Sequence, residues 1–475
     1  MDTDVKAPIL AQPDGLPPPA WSQEVSERRH VQKKRRFVKF AVLSVMLIWL
    51  GVHSRHHLKH GAQKVFSALS ADEHKMAASS WPIPDEYSAD CVQWSNVEKV
   101  LDIEADHRFP YSAEANIEIP ITADSLFVVS HAVRHHTVLA GGRVQFLQSE
   151  EVVDKLQIGV TAHVHREKDL KHVKTCLLEG EAGARGAGLF TNWASKSHHR
   201  HRRQPRFRLD VVVAFPAMDK DSPLAVKEFW TNMTAFSQEF YDLSGVAFDS
   251  LNVRNFLGPI SAENLKAKAA NIETDFGPIR IGSLNVTAAN VTTTMGPISG
   301  SFFASDSLSL KTSNGPSSPT SSFPTQTRRR DLLSSSSTPR TGHIIDSSVD
   351  LSTTKDESAF DLIAKTSNGR LALAVPSAPI DSTITLDART AFGSAHVKLP
   401  ATFEGAFSAS TSIGAASLKA DENAPDPSGQ GRARKVVVDA AGRTNVQGSV
   451  GWSEEGLARG NAHVETSIAS VVLEL

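Results

Sequence analysis

Acidic pairs, histidine pairs and asparagine sequons are the residues in this chain whose types and spacing could do chemistry. Glu273 and Asp275 alternate on what reads as one strand, so two carboxylates share a face, the arrangement that acid–base cleavage of a glycosidic bond requires. Asp219-Lys220-Asp221 follows the apolar run Val211–Phe215, as a metal-holding Asp-x-Asp follows a strand in sugar-nucleotide enzymes. That chemistry also needs an α/β nucleotide-binding unit, and the one helix-like stretch nearby is Val226–Tyr241. His163-x-His165 sets two imidazoles on one strand face, a spacing suited to zinc or copper, but no third ligand is identifiable. No Gly-x-Ser-x-Gly elbow, phosphate-binding glycine loop or Cys-x-x-Cys pair occurs. The sequence therefore names no catalytic residue, no metal ligand and no cofactor.

Other signals concern modification. Asn232-Met-Thr, Asn285-Val-Thr and Asn290-Val-Thr are N-glycosylation sequons. Cys91 and Cys176 are the two cysteines, and they read either as one disulfide or as two buried thiols. The dibasic Arg329-Arg330 lies in a Ser-rich stretch open to proteolytic processing. His198-His199-Arg200-His201-Arg202-Arg203, with Arg206 and Arg208, makes a basic loop that reads as solvated or as a grip for an acidic glycan or headgroup. With 50 Lys and Arg against 52 Asp and Glu, the chain lacks the overall basic footprint of a nucleic-acid binder.

The elements that must position these residues are short. Val/Ile/Thr/Phe runs broken by Gly and Pro predict a mostly β chain. Ala115–Ile121, Leu126–Val129, Val144–Leu147, Leu156–Val164 and Leu209–Phe215 predict a β-sandwich-like unit over 109–215, with the basic loop at 180–208. From 216 to 312 the sequence repeats. Gly258-Pro259-Ile260, Gly277-Pro278-Ile279 and Gly296-Pro297-Ile298 recur every 19 residues. Leu265, Leu284 and Phe303 keep the same phase, as do Ile272, Val291 and Leu310, and Thr274, Thr293 and Thr312. A fixed period of this length predicts a β-solenoid, whose rungs cannot bury their apolar side chains alone and must stack. Strand alternation sends Asn285 and Asn290 outward.

A Ser/Thr/Pro-rich disordered insert is predicted at 313–342, and strand-like runs resume over 343–475, where Lys365-Thr366-Ser367-Asn368-Gly369 echoes Lys311-Thr312-Ser313-Asn314-Gly315. At the other end, 1–36 reads as a disordered cytoplasmic tail and 54–108 as a stem. Phe37–Val52 is apolar apart from Lys39, and six Lys or Arg between Arg28 and Arg36 precede it. That pattern predicts a transmembrane signal-anchor helix at 37–53 and a single-pass type II membrane protein of the secretory pathway or cell surface.

The turn Gly followed by Ile, then Leu, then an apolar-x-Thr strand into Ser-Asn-Gly resembles adhesin-like β-solenoid domains of unknown function. Val397-Lys398-Leu399-Pro400, Phe403-Glu404-Gly405 and Val464–Leu475 are similar to domains of that kind in uncharacterised fungal single-pass membrane proteins. The resemblance spans 210–475 and implies a surface or adhesion-like role without catalytic residues. The expectation is a non-enzymatic surface or interaction protein whose partners are the lipid bilayer and a cell-wall polysaccharide or surface protein. The alternative is a lumenal carbohydrate-active enzyme, either a glycosyltransferase or a β-helix lyase or hydrolase.

Overall fold

Alternation of apolar and polar residues governs the described parts of the chain from Tyr111 to Leu475, which are built almost wholly from strands. The computed structural model describes residues 83–84, 86–99, 109–132, 141–150, 154–191, 207–217, 223–314, 343–352 and 358–475. Among the described residues, twenty-six strands join through continuous pairing. The longest, Ile260–Phe276, Ile279–Met295 and Ile298–Asn314, have 17 residues each and lie side by side in parallel. Ile260 stands beside Ile279, Leu265 beside Leu284 and Ile272 beside Val291, a constant offset of 19 residues. Each repeat is thus one rung, and its inward side chains stack on their equivalents in the next.

The glycine of each corner has a packing reason. A Cβ on Gly277 would stand 2.0 Å from the carbonyl oxygen of Gly258, and one on Gly296 would stand 2.0 Å from that of Gly277. The constant phase of threonine within the repeat is explained by the same corner. Thr274 Oγ1 donates to the Gly258 carbonyl (3.2 Å), Thr293 to Gly277 (3.0 Å) and Thr312 to Gly296 (3.1 Å). Each hydroxyl satisfies a carbonyl of the neighbouring rung that the turn leaves outside the ladder.

The register slips by one residue and then recovers. Register shifts between Ile281 and Leu284, and again between Val286 and Ala288, so Phe302 pairs with Leu284 and is buried, while Phe303 is only half-buried. The expected inward role of Phe303 passes to its neighbour.

The stack extends in both directions. Leu224–Met233 and Phe236–Asp242 continue it toward the N-terminus and pair in parallel with Ser125–Ala132 and Gly141–Gln148. The helix expected at Val226–Tyr241 is therefore two strands: Leu224, Val226, Phe229 and Met233 point inward, with a turn at Thr234–Ala235. Within the stretch read as a basic loop, Ala184–Thr191 is a largely buried strand paired with Ser125–Ala132. The N-terminal end finishes in antiparallel strands: Tyr111–Pro120 on Lys155–Val164, and Ser88–Val92 on Val173–Glu179.

Beyond the insert, His343–Leu351 and Ala359–Asn368 resume the ladder on Ile298–Asn314. The C-terminal order departs from the sequence. Gly460–Ile468 lies between Thr383–Phe392 and Gly405–Ile413, and Val471–Glu474 lies between Ala395–Lys398 and Ala416–Lys419. The final rung is inserted between two that precede it. The corner bonds follow this spatial order: Thr466 donates to Gly393 (2.8 Å) and Thr411 to Ala469 (2.8 Å).

The membrane-anchored reading is corrected here. A spanning helix needs about 20 apolar residues, and no helix among the described residues is long and apolar enough to cross a membrane. The helices described are 3-10 turns such as Glu167–His172. The proposed span at 37–53 lies outside the described residues, as do the tail at 1–36 and nearly all of the insert at 313–342. The mostly β assignment stands. The signal-anchor helix, the type II topology, the bilayer as partner and the membrane localisation built on that topology are not carried forward.

Candidate functional site

The 19-residue offset that stacks the core also lines up outward-facing residues. Asn252 stands beside Asn271, Asn271 beside Asn290 and Asn290 beside Ser309. Asn290 Nδ2 donates to Asn271 Oδ1 at 2.9 Å, and Asn252 Nδ2 donates to Ser250 Oγ at 3.2 Å. The adjoining column is Ser250, Ala269, Ala288 and Ser307, all short side chains. Their small size recesses the surface into a groove of about 470 Å³ running across the rungs. Asp361 is the one charged residue in its lining.

An aromatic plate stands at the head of the asparagine column. Trp230 is the register partner of Asn252 and is half-buried. Its ring stacks on Phe127, with centroids 4.7 Å apart and planes 18° from parallel. Phe127 belongs to a small apolar cluster with Cys176, Leu178 and Phe190, against which Tyr87 and Cys91 pack. The two cysteines stand opposite each other in the ladder, with an S–S distance of 2.05 Å. That cluster holds Trp230 in place.

A second recess, of about 410 Å³, has a different chemistry, with Glu239, Tyr241, Glu263 and Arg280 around a floor that includes Gly282 and Gly300. Gln145 Nε2 donates to Tyr241 Oη at 2.6 Å, so the phenol is already engaged.

The other sequence-derived candidates are scattered. Glu273 Oε2 lies 3.9 Å from Arg254, and Asp275 accepts from Thr294 at 3.4 Å. They are bound to different neighbours and do not converge on a cleft. His163 Nε2 is 3.2 Å from Asp210, which also takes Arg208 at 2.9 Å. Partial burial alone would raise the Asp210 pKa, but hydrogen bonds from His163 and Arg208 hold it below the usual carboxylate value. Among the described residues no group of three or more His, Cys, Asp or Glu is placed to hold a metal. Asp219, Asp221, the run from His198 to Arg206, Arg329 and Arg330 lie outside the described residues. Of the sequons, Asn285 is exposed, while Asn232 and Asn290 are half-buried. Asn290 lies in the groove itself. The asparagine column could have been found from the sequence: Asn252, Asn271 and Asn290 keep the same period as the glycines.

No protein-family model matches the sequence, and no curated protein matches it. Among solved structures, the chain is similar to a "putative cell adhesion protein" from Clostridium sporogenes ATCC 15579, at 9% identity over 76% of this chain and 99% of that one, with a TM-score of 0.20. It is similar to a "putative adhesin" from Parabacteroides distasonis ATCC 8503, at 10% identity over 76% and 97%, TM-score 0.28. A "putative lipid binding protein" from the same organism is 14% identical over 60% and 90%, TM-score 0.29. The likeness is distant and partial.

Proposed function

We propose that this chain is a non-enzymatic binding protein that holds an elongated, uncharged polar polymer, a polysaccharide strand, along the groove between Trp230 and Ser309. The observation that carries the reading is the in-register column Asn252–Asn271–Asn290. Neighbouring rungs of a parallel ladder are about 4.8 Å apart, so a chain laid across them meets an amide at every step. An amide is both donor and acceptor, which suits hydroxyl groups and does not select for charge. The floor of alanine and serine leaves room for the strand, and Trp230, one rung beyond the groove's lining beside Asn252, would offer an apolar plate for a sugar ring at one end. The two carboxylates first considered for catalysis, Glu273 and Asp275, are bound to separate partners, which supports binding without turnover.

Affinity electrophoresis of the full chain in gels containing neutral polysaccharides tests this. Retardation by at least one such polymer is expected, reduced severalfold in Asn271→Ala and in Trp230→Ala with the circular dichroism spectrum unchanged. Retardation that is equal in the wild type and both variants, or absent with every neutral polymer, would remove the groove from consideration.

A further inference from the structure

Arg434 immediately precedes the strand Lys435–Ala441 and is only 6% exposed. Its guanidinium lies over the Trp452 ring, 5.8 Å from the centroid, and Nη1 donates to the Asp421 carbonyl at 3.4 Å. Nε and Nη2, the two donors on one edge of the planar group, are buried with no partner among the described residues.

No carboxylate among the described residues hydrogen-bonds this edge, and those of Asp426 and Glu404 are taken by other groups. Asp426 receives Nε and Nη2 of Arg432, each at 3.1 Å. Glu404 accepts from the Trp452 amide at 2.7 Å and from Arg459, which also reaches Asp381 at 2.8 Å. Asp421 Oδ1 accepts from the Asn423 amide at 3.0 Å. A buried charge is costly unless it is paired and fully hydrogen-bonded. An arginine does not escape by losing its proton, and an indole face compensates only in part. Burial pushes the Arg434 pKa down, with Asp421 opposing only weakly enough to leave it lowered.

We propose that the open edge of Arg434 is a binding site for a small oxyanion (a carboxylate, sulfate or phosphate group) held bidentately by Nε and Nη2. Two oxygens of such a group match the parallel donors of the fork, a geometry that a spherical halide lacks. The loop that precedes Arg434 is closed on itself: Asp426 also accepts the amides of Arg432 and Ser428, both at 3.0 Å.

The test uses the full chain and inorganic phosphate and sulfate, against chloride at matched ionic strength. A saturable rise in Tm and a saturable heat of binding are expected for phosphate or sulfate and not for chloride. Arg434→Lys keeps the charge and loses the fork; it should bind at least tenfold more weakly, and Arg434→Met should show no saturable binding. If Arg434→Met fails to fold, Arg434→Lys, checked by near-ultraviolet circular dichroism, carries the comparison. Equal behaviour of the wild type in all three salts, or saturable binding retained in Arg434→Lys at wild-type affinity, would overturn the site.

Discussion

Thr293 donates its hydroxyl to the carbonyl of Gly277, the corner of the rung before it, at 3.0 Å, and it is fully buried. Replacing it with valine keeps the shape and strands that carbonyl. Loss of a buried partner costs about 1–3 kcal/mol. Thr293→Val should lower the urea midpoint accordingly, whereas Thr294→Val, one residue on and exposed, should leave it nearly unchanged.

Gly277→Ala should be worse. The added Cβ meets the Gly258 carbonyl oxygen at 2.0 Å and its carbon at 2.5 Å, and neither is a side chain that can swing away. Either the two rungs part at the corner or the turn changes shape. Equilibrium denaturation should show a loss larger than that of Thr293→Val. Gly429→Ala, where a Cβ would meet nothing within 4 Å but the backbone has φ of +71°, should cost only the modest strain of a left-handed residue.

The central repeat was legible because one physical demand, a carbonyl at every corner, fixes both glycine and threonine at the same period. Phe303 shows where the arithmetic ends: a local register shift hands the inward position to Phe302, and periodicity alone carries no sign of it. The stretch 226–241 misled for another reason. Val226, Phe229 and Met233 keep helical spacing, and a strand fits Leu224–Met233 only because its alternation changes phase at Lys227–Glu228, which the pairing with neighbouring strands fixes. The inserted C-terminal rung was hidden entirely, because the pairing partner of Val464 is a matter of distant contacts. The groove was half visible: Asn290 stood out as a sequon, and its alignment with Asn271 and Asn252 emerges only when the rungs are laid side by side.

That inserted rung makes the C-terminus structural. Removing Gly460–Leu475 withdraws the partner of Thr383–Phe392 on one side and of Gly405–Ile413 on the other. It also removes the buried Val464, Val471 and Leu473, each worth about 1.5–3 kcal/mol. The truncated chain should aggregate or lose its cooperative melt. Deleting the hairpin residues 435–451 strips pairing from one side of Gly405–Ile413 alone and should be milder. Size-exclusion chromatography and thermal melts of the two deletions decide between a rung that is internal and one that is terminal.

Asp210 gives a pH dependence with a definite sign. Its folded pKa lies below the unfolded value of about 3.9. A depressed acid contributes stability that is full above the unfolded pKa and is lost as the pH falls through the folded one. Stability should therefore decline on acidification below about pH 4. Asp210→Asn should be less stable than the wild type near neutrality, with the difference narrowing as the pH falls through that range. A difference that stays constant with pH would mean that the carboxylate charge is not what His163 and Arg208 stabilise.

The sequons differ in what a glycan would displace. Asn285 is exposed, and its register partner is Lys266, also at the surface. A sugar there meets solvent. Asn290 gives its amide nitrogen to Asn271 at 2.9 Å and accepts from Thr292 at 3.4 Å, the sequon's own threonine. A glycan on Asn290 would break the amide column and fill the groove. In a host that glycosylates, Asn285 should be occupied and Asn290 largely bare, with intact-mass analysis of Asn285→Gln and Asn290→Gln showing a loss of sugar mass only in the first. The groove should then bind polysaccharide equally before and after glycosidase treatment. Occupancy concentrated at Asn290, with binding gained on deglycosylation, would make the glycan a plug in the groove and reverse the assignment of the open surface.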